Sequence, residues 1–299
     1  MRTKPQLSKS LFMHGVQCLK SLYLHVYQKE DRDERTKHGQ YIIETGTKVG
    51  VLARNYFDNG FLISEPFYEH KKAIETTSDK INQKTHTHLF EAAFTFDGMR
   101  TRVDVLRFNA DGTFDLIEVK SSTKPKGEHI PDLAIQKFIV TGLGYRVEKC
   151  LLMHLNPDYV YRGGEYDLNT LFTISDLTEA VEEKIMEVPL LVDQMRKVLS
   201  EDDVPAIPIG SQCKNPNRCD FYAYCRIGLP ERHITLLPRI SDKKLSMLRE
   251  KGIERISDIP MNFDLTPIQT RIRDAIASGK IFRSPKIAKL LSRLQFPLY

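Results

Sequence analysis

Apolar residues recur at helical spacing near the start of the chain, where Leu11, Val16, Leu19, Leu22 and Tyr23 form one stripe behind Ser8 and Ser10. Either serine can cap the first turn, so the pattern predicts a helix with Cys18 inside it. The charged stretch 28–40 reads as a loop. Residues 41–57 read as a second helix, with Ile42, Val49, Leu52, Ala53 and Tyr56 on its apolar side. Gly46 and Gly50, one helical turn apart, are expected to let another element pack closely. Residues 71–88 are polar and read as a long loop. The pattern then switches to short β segments at 89–96, 101–108 and 113–120. Asp97-Gly98 and Asn109-Ala110-Asp111-Gly112 separate them, which is turn chemistry for an antiparallel meander. A helix is expected over 131–143, with Asp132 near its start and Gly142 and Gly144 at its end. A strand at 145–155 and a long helix at 177–199 complete an α/β pattern, a mixed sheet flanked by helices.

The meander carries the candidate chemistry. Glu118 and Lys120 are two apart on one strand, so their side chains share a face. If the hairpin closes at 109–112, Asp104 falls opposite Glu118, and directly paired residues have Cβ atoms about 5 Å apart. Two carboxylates that close repel each other, and a hard divalent cation such as Mg²⁺ or Mn²⁺ relieves the repulsion. Lys120 could then orient a water or neutralise charge on a phosphoryl transition state. The same three side chains would equally suit a surface ion-pair cluster. The nuclease reading expects Asp104, Glu118 and Lys120 to line one open groove, with Glu91 on the same face as a supporting carboxylate.

Composition narrows the class. At 299 residues, 41% hydrophobic and 28% charged, the chain is an ordinary globular protein. No signal peptide is evident at the N-terminus, and no apolar run approaches the ~20 residues of a membrane span. A cytoplasmic protein without a membrane partner is expected. Net charge is +5, unevenly placed: residues 226–299 hold 15 Lys+Arg against 7 Asp+Glu, leaving 29 against 32 before them. A basic C-terminal region suits a polyanion such as DNA.

Five cysteines remain to be explained. Cys213, Cys219 and Cys225 are spaced C-x5-C-x5-C in a short Pro-containing loop, which suggests a metal or cluster site lacking the C-x2-C knuckles of structural zinc. A fourth ligand must come from Cys18 or Cys150. Cys150 lies in the apolar run 150–153 and reads as a buried strand cysteine, so Cys18 is chosen.

An N-terminal cysteine, a D…ExK core and a C-terminal cysteine trio is an order that resembles RecB-like PD-(D/E)XK nucleases, notably the CRISPR-associated RecB-like exonucleases and the AddB nuclease domain. The resemblance implies a restriction-endonuclease-like core. It also implies a [4Fe–4S] cluster on Cys18, Cys213, Cys219 and Cys225, with zinc the alternative. Asp104, Glu118 and the Val119 carbonyl would be metal ligands, Lys120 the catalytic lysine, and Gln136 the glutamine of a Q-x3-Y motif. Segments 10–12, 15–18, 22–24, 45–50 and 52–54 are also similar to an uncharacterised bacterial family in which such a domain precedes an RNase-H-like exonuclease domain. The chain departs from the pattern at Val103, where a proline is usual, and at Val140, where a tyrosine is usual. Glu44 is the nearest acidic substitute for a histidine ahead of the core.

The expected organisation is a nuclease domain over 1–230 and a basic helical region over 231–299. Within the latter, 237–253 resembles a helix-hairpin-helix element, with Lys243 and Lys244 facing phosphates. The implied function is a metal-dependent DNA exonuclease acting on single strands or ends, in repair or defence. The alternative is a catalytically weak nucleic-acid-binding module whose cluster supports a downstream exonuclease domain.

Overall fold

A computed structural model describes residues 6–294, in two compact units, Met1–Ile207 and Pro208–Tyr299. The division falls ahead of the expected 230/231 and groups the three C-terminal cysteines with the helical unit.

The first unit runs β1 (Leu7–Ser8), α1 (Lys9–Gln17), α2 (Leu19–Tyr27), α3 (Lys37–Tyr56), β2 (Gly60–Leu62), α4 (His70–Gln83), β3 (His88–Phe96), β4 (Met99–Phe108), β5 (Phe114–Lys120) and α5 (His129–Gly142). It continues through β6 (Val147–Leu155), α6 (Leu168–Leu171), β7 (Phe172–Asp176), α7 (Thr178–Ile185) and α8 (Val188–Ser200). The strands form one mixed sheet in the order β2-β3-β4-β5-β6-β7. β2 runs parallel to β3 and β5 to β6; the other neighbours are antiparallel. The fold is α/β, with helices on both faces of the sheet. Leu89, Ala92, Val103, Leu116 and Cys150 pack with Phe12, Leu22, Leu133, Val181 and Met195 on one face. Phe90, Val105, Ile117 and Met153 pack with Val49, Ala53 and Leu171 on the other.

Two departures from regular pairing shape the middle of the sheet. β5 pairs with β4 only over Val105–Phe108, while β1 pairs parallel with Met99 and Arg100 at the far end of β4. β3 occupies the opposite edge of β4 throughout, so β1 and β5 share one edge and leave a gap at 101–104. The second departure lies across from that gap. The β3–β4 ladder skips Glu91 opposite Asp104, and Glu91 is left-handed at φ 58°. Phe90 and Val105 point to one core, yet Ala92 and Val103 point to the other, so the in–out alternation slips by one at this pair. Left-handed backbone at a residue with a long side chain is strained, and such strain concentrates at functional sites.

Several expectations are corrected. Cys18 does not lie inside a helix: it is extended (φ −167°, ψ 120°) and separates α1 from α2. Residues 71–88 are not a loop but mostly α4, whose sparse stripe of Ala73, Thr77 and Ile81 is buried at helical spacing. The expected helix 177–199 is two helices, broken ahead of Pro189, which takes an early position in α8 where its missing N–H is tolerated. A Cβ on Gly46 or Gly50 would meet nothing within 4 Å, so neither glycine serves close packing.

The second unit contains α9 (Asp242–Glu250), α10 (Pro267–Ser278) and α11 (Ile287–Leu291). Its core gathers Ile234, Leu237, Leu245, Leu248, Ile256 and Ile259. Ahead of α9 the expected hairpin has a single 3₁₀ turn, Ile234–Leu236, in place of a first helix, and Arg239 takes the left-handed conformation (φ 52°). Lys244 pairs with Asp264 at 3.0 Å, and Arg273 is buried and bonded to the carbonyls of Pro260 and Met261. Arg273 is therefore a structural residue of this unit and no part of a basic surface. The last five positions of the expected basic region lie outside the described residues.

The glycines give a contrasting pair of expectations. Gly142→Ala would drive a Cβ into the Phe96 ring and should cost about 1–3 kcal/mol. Gly46→Ala, in open helical surroundings, should stabilise by roughly 0.5–1 kcal/mol. Denaturant unfolding of the two variants measures both.

Candidate active site

The gap in β4 pairing is where the sequence-selected residues meet. Extending the β4–β5 register from Val105↔Ile117 places Asp104 across from Glu118, but no ladder bond forms there. Instead the amide of Val119 donates to Asp104 Oδ2 at 2.8 Å. The N–H and C=O of a strand residue leave the same edge, so the Val119 carbonyl faces the same gap.

Glu118 is the centre of the cluster. Lys9 Nζ lies 3.0 and 2.9 Å from its two carboxylate oxygens, Lys120 Nζ 2.6 Å from Oε1, and Gln136 Nε2 2.7 Å from Oε2. Asp132, one turn before Gln136 on α5, accepts from Lys120 at 2.7 Å and lies 3.4 Å from Lys9. Gln136 also donates to the Asp132 carbonyl at 3.1 Å. The structure thus brings Asp104, Glu118, Val119, Lys120 and Gln136 together.

It does not bring them all to an open groove. Glu118 is 2% exposed and covered by Lys9 and Gln136, because a buried carboxylate is held most stably under its own counter-ions. The cleft beside it, about 310 Å³, is lined by Lys9, Glu91, Arg102 and Asp104 and not by Glu118. Glu91 reaches this cleft from directly opposite Asp104.

The electrostatics follow from that crowding. Burial and the neighbouring Glu118 charge push the Asp104 carboxyl up to about 7, against the pull of Lys9 and Lys120. Burial alone would raise Glu118, but Lys120 and Lys9 overcome it and hold the group well below the usual carboxylate range. Burial would lower Lys120 and Lys9, yet Glu118 and Asp132 raise both. Glu91 is raised, chiefly by burial.

Hard oxygen donors suited to Mg²⁺ or Mn²⁺ are present in Asp104, Glu118 and the Val119 carbonyl. Gln136 Oε1 is buried without a hydrogen-bond partner, and Asp132 Oδ1 has only the Lys9 ammonium, at 3.4 Å, as expected where a polar site has unused capacity. For a cluster, Cys213 packs beside Cys225, Ile209, Tyr222 and Leu229, and the amide of Cys219 donates to the Cys213 carbonyl at 3.0 Å. Soft sulfur donors, of which Cys213 and Cys219 are buried within an otherwise largely polar loop, are of the type that iron–sulfur or zinc takes. Cys150 is different: it is fully buried in β6, and burial pushes its thiol up to about 12.

No protein-family model and no curated protein matches the chain. Among solved structures, the crystal structure of SSO0001 is similar at 13% identity over 77% of this chain and 90% of that chain. Its TM-score of 0.34 makes the likeness too distant to bear on fold or function.

Two members of the cluster carry little sequence signal. Asp132 reads as a helix-start residue, although its position four before Gln136 puts both on one helical face. Lys9 is 109 positions from Glu118, and only the pairing of β1 with β4 delivers it.

Asp104 makes the metal-free protein pH-sensitive. Between its ordinary value of 3.8 and about 7, the unfolded chain releases a proton that the folded site retains. Stability therefore falls as pH rises through that window and levels off above it. Asp104→Asn keeps an oxygen to accept from Val119 and cannot ionise. Its Tm advantage over the wild type in EDTA should grow from about pH 4 to 7 and then stay constant. A pH-independent difference would show that Asp104 titrates normally.

Proposed function

We propose that the chain is a divalent-metal-dependent deoxyribonuclease with a restriction-endonuclease-like core, acting on single strands or strand ends. The observation that carries this reading is the convergence of Asp104, Glu118, the Val119 edge and Lys120 at a break in the sheet beside a cleft. Asp104, Glu118 and the Val119 carbonyl would hold Mg²⁺ or Mn²⁺, which supplies Lewis-acid polarisation of a phosphate and a water nucleophile at neutral pH. Gln136 orients Glu118 through Oε2. Lys120, fixed between Glu118 and Asp132, is positioned to offset charge developing on the phosphoryl oxygens.

Lys9 has to move for this chemistry. Its ammonium covers both Glu118 oxygens, and a divalent ion on Glu118 would repel it. Lys9 sits at the start of α1 on a flexible four-carbon stem and already lines the cleft, so it can swing towards a bound phosphodiester. That same cover over Glu118 favours a second reading, a nucleic-acid-binding module of weak activity whose lysine stays in place.

The [4Fe–4S] proposal rests on cysteine chemistry, with Cys213, Cys219 and Cys225 as ligands and Cys18 as the fourth. Among the described residues no helix is long and apolar enough to cross a membrane.

Anaerobically purified protein should degrade a labelled oligonucleotide only with Mn²⁺ or Mg²⁺, and Glu118→Gln should lose more than about 100-fold of that activity. Lys9→Met should bind Mn²⁺ more tightly by calorimetry. Cleavage undiminished in Glu118→Gln would refute the assignment, and cleavage absent from the wild type would favour the binding module. Cys18→Ser should lower iron content and Tm together, because a ligand so distant in sequence from the trio closes a long loop. Full iron occupancy in that variant would remove Cys18 from the ligand set.

A further inference from the structure

The cleft beside Asp104 does not end at the carboxylates. Ser8, Ser10 and Arg100 line it and also line an adjoining cleft of about 360 Å³. The second cleft is cationic: Lys29, Arg32 and Arg100 face it together with His14, and no carboxylate lines it. Lys29, Arg32 and Arg100 form no ion pair among the described residues, unlike Lys9 and Lys120 nearby. Unpaired cations gathered in a concavity attract an anion carrying several charges.

The first cleft bears a different feature. Phe67 lines it and is 75% exposed, and Tyr68 beside it is 86% exposed. Phe67 thus presents an open ring face at the cleft, with a second ring, Tyr68, beside it in sequence. Their segment is held in place, since Arg102 donates to the Pro66 carbonyl at 3.2 Å and lays its guanidinium 5.1 Å from the Phe67 ring centre.

The geometry points to a track for one nucleic-acid single strand. Its phosphates run over Arg100, Lys29 and Arg32, and a base stacks on Phe67 as the backbone passes Asp104. Cationic grooves combined with exposed aromatic rings bind single strands, because every unpaired base offers a face to stack. A duplex keeps its bases inside and cannot use Phe67. This inference rests on reading the carboxylate cluster as a nuclease centre and adds to it the side chains outside that cluster that hold the strand.

The test is fluorescence anisotropy with the full-length chain in EDTA, which withholds the divalent cation, a labelled oligothymidylate and a salt series. Lys29→Ala/Arg32→Ala should flatten the log–log salt dependence by about 0.7 for each phosphate that the two side chains neutralise. Phe67→Ala/Tyr68→Ala should weaken single-strand binding roughly tenfold or more at every salt concentration, with an unchanged slope. A duplex of equal length should be insensitive to the aromatic pair. All four residues are surface residues, and near-ultraviolet circular dichroism checks that the variants stay folded. Equal weakening on duplex and single strand, or no change in either double variant, would overturn the track. So would poly-glutamate displacing the oligonucleotide equally well charge for charge, which would make the depression an acidic-peptide site. Cleavage is not read here, so this binding pattern in a chain without nuclease activity would remove the nuclease reading and keep the track.

Discussion

The buried carboxylate of Glu118 is the constraint around which the first unit is arranged. A carboxylate at 2% exposure is tolerable only if its oxygens are fully engaged, and an isolated one would cost several kcal/mol. Two ammonium groups and one amide engage it, and they come from three different elements, α1, β5 and α5. Lys120 is local. Gln136 requires α5 to lie over β5, which the apolar face of Leu133, Ala134, Ile139 and Val140 secures. Lys9 requires the N-terminus to enter the sheet, which it does by pairing Leu7 and Ser8 with the stretch of β4 that β5 leaves uncovered. Ser8 then caps α1 at Leu11, fixing the direction in which the helix departs and Lys9 points. Removing Glu118's charge would loosen each of these attachments together.

The break in pairing and the strain at Glu91 belong to the same arrangement. A regular β3–β4–β5 sheet would satisfy its amides within the ladder and leave no main-chain group facing the side chains. Because β5 parts from β4 after Val105↔Ile117, the Val119 amide is released to Asp104. Because alternation slips at Glu91 and Asp104, two residues that would have pointed to one face in an ideal ladder turn towards a cleft. The sheet gives up regular pairing at one position and gains a site where backbone and carboxylates converge.

Much of this was legible in the sequence, for reasons that can be named. The meander is written in turn chemistry at Asp97-Gly98 and Asn109–Gly112, and strand periodicity then places Glu118 and Lys120 on one face. The helix α4 was not legible, because its buried stripe of Ala73, Thr77 and Ile81 is thin against a mainly polar background. Nor was the break at Cys18, which no proline or glycine marks. Arg273 counts among the basic residues of 226–299, yet its guanidinium satisfies the carbonyls of Pro260 and Met261 in the interior of the second unit. Lys9 is the instructive omission. Its role depends on a pairing across almost a hundred residues, and local patterns do not encode such contacts.

Charge balance explains why this lysine matters most. Glu91, Asp104, Glu118 and Asp132 bring four carboxyls to one region, and Lys9 and Lys120 pair directly with two of them, Glu118 and Asp132. Fully ionised, the four acids would still outnumber the two lysines and Arg102, which lines the same cleft, and leave an excess of negative charge in a poorly solvated place. Without added cations, the folded chain relieves that excess by retaining protons, and the raised Asp104 and Glu91 carboxyls are where it does so. A divalent cation offers the other relief. It would let Asp104 ionise at neutral pH and would free Lys9 from Glu118, because one dication replaces both an ammonium and a retained proton. On the reading proposed here, metal affinity, proton release and the position of Lys9 would be linked through a single charge balance, so that a change in any one of them would be felt in the other two.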